Sequence, residues 1–303
     1  MARARGRGGL AVGWVGGLLA AALAACAGPG SDTAISTAAP TGAREEIPVT
    51  VSKPDGPGPF PAVVILHDCS GLGPRASGAP QRWARELGAR GYVTVIPDSF
   101  TTRGRPDGVC TDASPGRVAL GPSRRVHDAY AALAHARTLP YVDGRRVGLM
   151  GGSHGGSTTL AAMAAPRPGL DGLAAEKRTG FAAAVALYPA CGATLEARRA
   201  DGSGPYRAVA PVLILIGDKD DWTPAAPCVE LAACTRGSEH PVEITIYPGA
   251  HHSFDSDRPV RFVAARVNRH APGGRGATTG GDPAAWADRI GRVADFFGRH
   301  LRP

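Results

Sequence analysis

Three groups of residues in this chain have the types and spacing for acyl transfer. Ser153 lies in Gly151-Gly-Ser-His-Gly-Gly156, after the apolar stretch 146–150 and before a helix-compatible stretch, 157–165. Strand, sharp turn and helix in that order lift a serine Oγ clear of a sheet edge, and only small neighbours permit so tight a turn. A hydroxyl presented there can attack an acyl carbon if a base takes its proton and donors meet the developing oxyanion. The N–H of His154 is one such donor. Gly-x-Ser-x-Gly by itself arises readily in a chain with 42 glycines, so the flanking strand and helix carry the assignment.

The base and its orienting acid are expected downstream, in the order serine, acid, histidine. The run 213–224 (LILIGDKDDWTP) puts Asp218, Asp220 and Asp221 just past a strand end. The run 244–255 (ITIYPGAHHSFD) puts His251 and His252 just past the next. In a parallel sheet both ends lie on the side where Ser153 emerges. Spacing alone leaves open which acid and which histidine serve.

The elements that must position these residues follow from periodicity. Apolar runs predict strands over 61–67, 92–96, 147–150, 181–188 and 211–216, with alternating ones over 242–247 and, as an edge strand, 46–52. Helices are predicted over 81–90, from a Ser123 cap to about 138, over 224–234 and over 286–297. Strands alternating with helices predict an α/β fold with a doubly wound, mostly parallel sheet covered on both faces. The stretches 98–122 and 253–283 are expected as long irregular connections, with 271–282 a surface excursion.

The first 26 residues read as a secretory leader, with Arg3, Arg5 and Arg7 ahead of an apolar run over 10–25. Leu23-Ala-Ala-Cys26 resembles a bacterial lipobox, which makes Cys26 a lipidation candidate; cleavage near it with Cys26 incidental is the alternative. Residues 27–44 are small, polar and expected to form a flexible tether, leaving 45–300 as a single domain. The formal charge of +8 falls to +5 without the leader's arginines. No long basic stripe with interleaved aromatics is present, so nucleic acid is not an expected partner.

Besides Cys26 there are Cys69, Cys110, Cys191, Cys228 and Cys234. An odd number in an exported chain implies disulfides with at least one thiol left over. Cys191 with Cys228 joins neighbouring strand ends and Cys69 with Cys110 is a second candidate, with Cys234 a competing partner for either. Paired Cys-x-x-Cys knuckles are lacking, so no structural zinc is expected.

The motifs together resemble the dienelactone hydrolase family of α/β-hydrolases. The matching pieces are 66–72 (LHDCSGL), 151–155 (GGSHG), 217–224 (GDKDDWTP) and 247–254 (YPGAHHSF), within a resemblance running from about residue 46 to 298. It implies that Asp220, the fourth residue of Gly-x-x-Asp-x-x-x-Pro, is the orienting acid. It implies that His252, followed by a small residue and Phe, is the base. The Cys69 N–H becomes the second oxyanion donor, and His67 packs behind it. Arginines bind a substrate carboxylate in the archetype; Arg103, with Arg105 beside it, lies in a loop near the expected pocket mouth. Arg103, His251 and Trp222 are the candidate substrate contacts, and the His154 imidazole is expected to face the rim or solvent.

Two departures bear on function. The archetype is cytoplasmic with a cysteine at the elbow, whereas this chain has Ser153 and a leader. A serine depends on a His–Asp pair more than an acidic thiol does. The expectation is therefore an exported carboxylic ester hydrolase acting on a small ester or lactone. It calls for no cofactor or metal, and it meets a membrane only through Cys26. A peptidase or amidase, an acyltransferase and a non-catalytic envelope binding protein are the rival readings.

Overall fold

The computed structural model describes residues 31–38, 42–166, 173, 176–177, 179–202 and 204–302; the leader and Cys26 lie outside the described residues. Continuous apolar runs, buried on both faces, form the central parallel strands. These are β3 (Phe60–Leu66), β4 (Val93–Pro97), β6 (Ala183–Leu187), β7 (Val212–Gly217) and the second half of β5 (Val142–Gly152), while the half-exposed β8 (Val242–Tyr247) is the parallel strand at the far edge. With β1 (Ser31–Ala38) and β2 (Arg44–Ser52) they make an eight-stranded sheet in the order β1-β2-β4-β3-β5-β6-β7-β8. Only the β1–β2 and β2–β4 pairs are antiparallel.

Helices α1 (Ala79–Gly88), α2 (Pro115–Ala119), α3 (Pro122–Thr138), α4 (His154–Met163), α5 (Cys191–Ala200), α6 (Ala226–Cys234) and α7 (Pro283–Leu301) flank the sheet. α1 and α7 meet through Trp83 and Trp286, whose rings are 5.1 Å apart. The expected doubly wound α/β fold is the one that forms.

Several local expectations are corrected. Residues 27–44 are not a tether throughout, because Ser31–Ala38 forms the outermost strand, antiparallel to β2. Its Ser/Thr/Ala composition hides a period of two that buries Ile35 and Thr37. Thr37 Oγ1 donates to the buried Asp128 (2.9 Å), and the Ala38 carbonyl accepts from Arg124 (2.9 Å). β2 is consequently not an edge. Ser123 is not the cap of α3: Gly121 takes that place, with Pro122 opening the helix. α4 begins at His154 rather than at 157, immediately after the nucleophile candidate.

The stretch 253–283 is not irregular. It carries a hairpin of β9 (Arg261–Val267) and β10 (Arg275–Thr279). This hairpin docks on the sheet's carboxyl edge: Thr279 bridges to His252, and Trp222 Nε1 donates to the Val267 carbonyl (2.8 Å). The Val267 N–H donates to the Cys110 carbonyl (3.0 Å).

Both expected cysteine pairings are formed, Cys69–Cys110 and Cys191–Cys228, with Cα separations of 4.9 and 5.0 Å; Cys234 is free and exposed. Closing loops of this length stabilises a fold by roughly 3–4 kcal/mol each in the chain-entropy account.

Because β1 is packed, removing it has a cost. A chain beginning at residue 42 should lose about 3–5 kcal/mol, from the burial of Ile35 and the charge-assisted Thr37–Asp128 bond. Calorimetry against a chain beginning at residue 27 should show Tm lower by about 10 °C. An unchanged Tm would mean that the segment is a tether after all.

Candidate active site

Ser153 holds φ 54° and ψ −113°, a backbone conformation that side-chain-bearing residues rarely adopt. The neighbouring glycines make room for it. A Cβ on Gly155 would lie 2.3 Å from the Leu66 carbonyl oxygen, and one on Gly151 would lie 2.6 Å from the backbone of Gly155. The elbow is fixed from below by the Ser153 N–H, which donates to the Leu187 carbonyl (2.9 Å). From there α4 starts at once, so the Ser153 side chain and the His154 N–H point to the same side of the sheet edge.

The loops after β7 and β8 bring two further groups to that point. His252 Nε2 lies 2.8 Å from Ser153 Oγ, and His252 Nδ1 lies 2.8 Å from Asp220 Oδ2. All three residues are buried, with His252 fully enclosed. Asp220 is satisfied on every side: Oδ1 accepts from the N–H groups of Trp222 (3.0 Å) and Thr223 (2.7 Å), and Oδ2 accepts from Thr223 Oγ1 (2.9 Å). These donors orient the carboxylate so that Oδ2 faces His252 Nδ1, which turns Nε2 of the ring toward Ser153. The imidazole is clamped between the rings of Tyr188 and Trp222, at 4.8 and 4.7 Å.

The other acids and histidine of these loops have different partners. Asp218 Oδ1 accepts from the Gly249 N–H (2.7 Å), and Asp221 accepts from the N–H and Oγ1 of Thr278, both at 2.8 Å. Each holds a loop. His251 is not among the residues that line the cleft, and its Nδ1 lies 3.1 Å from the Lys219 carbonyl.

The backbone N–H groups of Cys69 and His154 are the two candidates for receiving an oxyanion. Among the described residues neither of these N–H groups has an acceptor. The Cys69–Cys110 disulfide ties the Cys69 loop to the 101–121 segment. Asp68 approaches both sulfurs, but they are bonded to one another and offer no thiolate to a metal.

Above Ser153 lies a narrow cleft with a cavity volume of about 50 Å³. Cys69, Cys110, Trp222, Thr279 and Gly280 line it, and Arg75, Arg258, Arg261 and Arg266 stand around its mouth. Trp222 is thus in the cleft wall. Arg103 is not: its guanidinium is committed to Glu45 (2.7 Å) and to the buried Asp128 (2.7 Å), behind the sheet edge. Arg105 braces its own loop against Asp112 (3.2 Å). Spacing could not separate a loop arginine facing the cleft from one facing an acid 25 residues away.

Sequence reasoning missed Thr223, Tyr188, Arg266 and Arg125. Thr223 Oγ1 lies 3.0 Å from His252 Nδ1 besides its bond to Asp220. Arg266 lies over the Trp222 ring, 5.1 Å from its centroid. The His154 imidazole is half-buried rather than free, because its Nδ1 meets the Arg125 guanidinium at 2.8 Å. A signal for Arg125 existed: it shares a helical stripe with Ala129 and Leu133, both inward-facing. His67 packs as expected, fully buried, with Nδ1 2.8 Å from the Asp68 carbonyl and Nε2 accepting from the Ser99 N–H (3.1 Å).

Comparison with known proteins shows the family and the fold. The chain is 26% identical over 218 residues to a Yersinia pestis protein named "Putative carboxymethylenebutenolidase", covering 70% of this chain and 76% of that one. Its fold is similar to that of Thermogutta terrifontis esterase 2 phosphorylated by paraoxon, with TM-score 0.59 and 17% identity over 91% of this chain and 96% of the other. It is similar also to a dienelactone hydrolase-like promiscuous phosphotriesterase from metagenomic libraries, with TM-score 0.57 and 18% identity over 90% of this chain and all of the other. The model of the dienelactone hydrolase family matches residues 47–301, and the chain is accordingly a member of that family and a serine-type hydrolase.

Proposed function

We propose that this protein is a carboxylic ester hydrolase that works through Ser153, His252 and Asp220 and an acyl-enzyme. The observation that carries the reading is the unbroken hydrogen-bonded chain Ser153 Oγ–His252–Asp220, at 2.8 and 2.8 Å, opening into a cleft. His252 Nε2 takes the Ser153 proton as Oγ attacks the ester carbonyl. Asp220 holds the ring in place and stabilises the imidazolium. The N–H groups of His154 and Cys69 receive the oxyanion. The alcohol departs with the proton from His252, and water repeats the sequence on the acyl-enzyme.

The small volume of the cleft, about 50 Å³, favours a compact acyl group and a small ester or lactone over a polymer. The chain is exported in this reading and anchored through lipid on Cys26. Two disulfides support an oxidising compartment.

Hydrolysis of p-nitrophenyl esters tests the reading. Ser153→Ala and His252→Ala are each expected to lower kcat by about 10³-fold or more, and Asp220→Asn by about 10³- to 10⁴-fold. Wild-type turnover in Ser153→Ala would remove Ser153 as nucleophile. With so little enclosed volume, acetate and butyrate should exceed decanoate in kcat/KM by about tenfold or more. A flat chain-length profile would show that the acyl chain does not enter the cleft.

The Cys69–Cys110 bridge supplies a further check. Dithiothreitol, or Cys110→Ser, releases the Cys69 loop and should lower kcat by about tenfold, whereas alkylating the free Cys234 should leave kcat unchanged. Undiminished kcat in folded, fully reduced protein would show that the bridge does not hold the oxyanion donor.

A further inference from the structure

Arg125 is fully buried in α3, yet among the described residues no carboxylate lies within ion-pair distance of it. Burying a guanidinium without a carboxylate costs several kcal/mol, and packing alone would be served better by an apolar side chain. Burial lowers its pKa to about 10, so it stays protonated at neutral pH. The nearby acids are engaged elsewhere. Asp128 is held by Thr37, Arg103 and Arg124, Asp98 by the N–H groups of Phe100 and Thr101, and Asp68 by Ser70 and Ser77.

The guanidinium instead spans the two segments that carry the oxyanion donors. Nη2 donates to the His67 carbonyl (2.9 Å), at the end of β3 and two residues before Cys69. Nη1 donates to Nδ1 of His154 (2.8 Å), whose own N–H is the other donor. The face of the group lies over Phe100, 5.0 Å from the ring centroid, and Phe100 also touches the rings of His67 and His154. Nε has no partner.

Both histidines are neutral in this arrangement. His154 accepts at Nδ1, and His67 accepts at Nε2 from Ser99 while its Nδ1–H donates to the Asp68 carbonyl. Burial holds both well below the usual histidine range. The positive charge behind the donors therefore belongs to Arg125 and does not depend on a histidine proton.

We propose that Arg125 is a positioning residue for the oxyanion site, tying the end of β3 to the elbow so that the Cys69 and His154 amides converge, with its buried charge favouring the tetrahedral oxyanion over the neutral ester. The inference rests on the hydrolytic reading above, in which those two amides receive the oxyanion. A fixed charge in a water-poor site needs no reorganisation as the oxyanion forms, so its effect falls on the transition state rather than on ground-state binding.

The test compares Arg125→Met, Arg125→Lys and His154→Phe with wild type and Ser153→Ala, each checked for folding by circular dichroism. Rates are read on p-nitrophenyl acetate, and affinity on a trifluoromethyl ketone, which adds Ser153 Oγ at its carbonyl to give an anionic hemiketal. Arg125→Met should lose about 10- to 100-fold in kcat with KM changed less than about threefold. Ketone affinity should weaken in parallel with kcat/KM. Arg125→Lys, which restores the charge but not the two-pronged grip, should recover part of the loss, and His154→Phe should lose less than Arg125→Met.

A folded Arg125→Met with wild-type kcat, or one in which only KM changes, would overturn the proposal. If Arg125→Met does not fold, wild-type kcat and ketone affinity in both Arg125→Lys and His154→Phe would overturn it equally. Failure of the underlying reading looks different, because Ser153→Ala would then stay active.

Discussion

The backbone of Ser153 is the constraint on which the rest of the site depends. Its φ of 54° is unfavourable for a residue with a side chain, by about 1–3 kcal/mol, and persists because the surroundings leave no alternative. Gly155 lies against the Leu66 carbonyl and Gly156 against the Leu187 carbonyl, so α4 is pressed between the ends of β3 and β6. The strain is thus held by the packing of the central sheet rather than by contacts of the serine itself.

Around that point the structure manages buried polarity by satisfying it locally. Asp220 is enclosed, yet two backbone amides, a hydroxyl and an imidazole converge on it. The same pattern recurs at Asp255, which is buried and accepts from Tyr188 Oη (2.6 Å) and Trp83 Nε1 (3.0 Å). Tyr188 in turn packs edge-on against His252, so the network behind the sheet edge bears on the ring that must meet Ser153. A fully satisfied buried network restricts its members to one geometry, so the His252 ring is held where its Nε2 meets Ser153 Oγ.

The cleft is made by segments remote in sequence and fastened to one another. The β9–β10 hairpin is held to the β7 loop by Asp221–Thr278 and Trp222–Val267 hydrogen bonds, and to the Cys110 loop by the Val267 N–H. The Cys69–Cys110 bridge then joins that loop to the one after β3. Loops are ordinarily the variable part of such a fold. Here the cross-links make them parts of one wall.

The sequence by itself determined the elements and their order: apolar runs long enough for strands, small residues where a serine had to turn sharply, and an acid and a histidine after successive later strands. These are local signals, since strand burial and turn geometry depend on neighbouring residue types. They were weakest where composition hid period, as in Ser31–Ala38, and where a connection's residues permitted loop or hairpin alike, as in 261–279. Which of Asp218, Asp220 and Asp221 faces His252 could be taken only from a resemblance. Whether Arg103 faces the cleft, and that the His154 ring turns inward onto Arg125, only the tertiary structure decided. Adjacent loop carboxylates, or a single arginine on a helix, acquire different partners through small differences in loop path. Those paths are set by packing between segments tens to hundreds of residues apart, which no local pattern encodes.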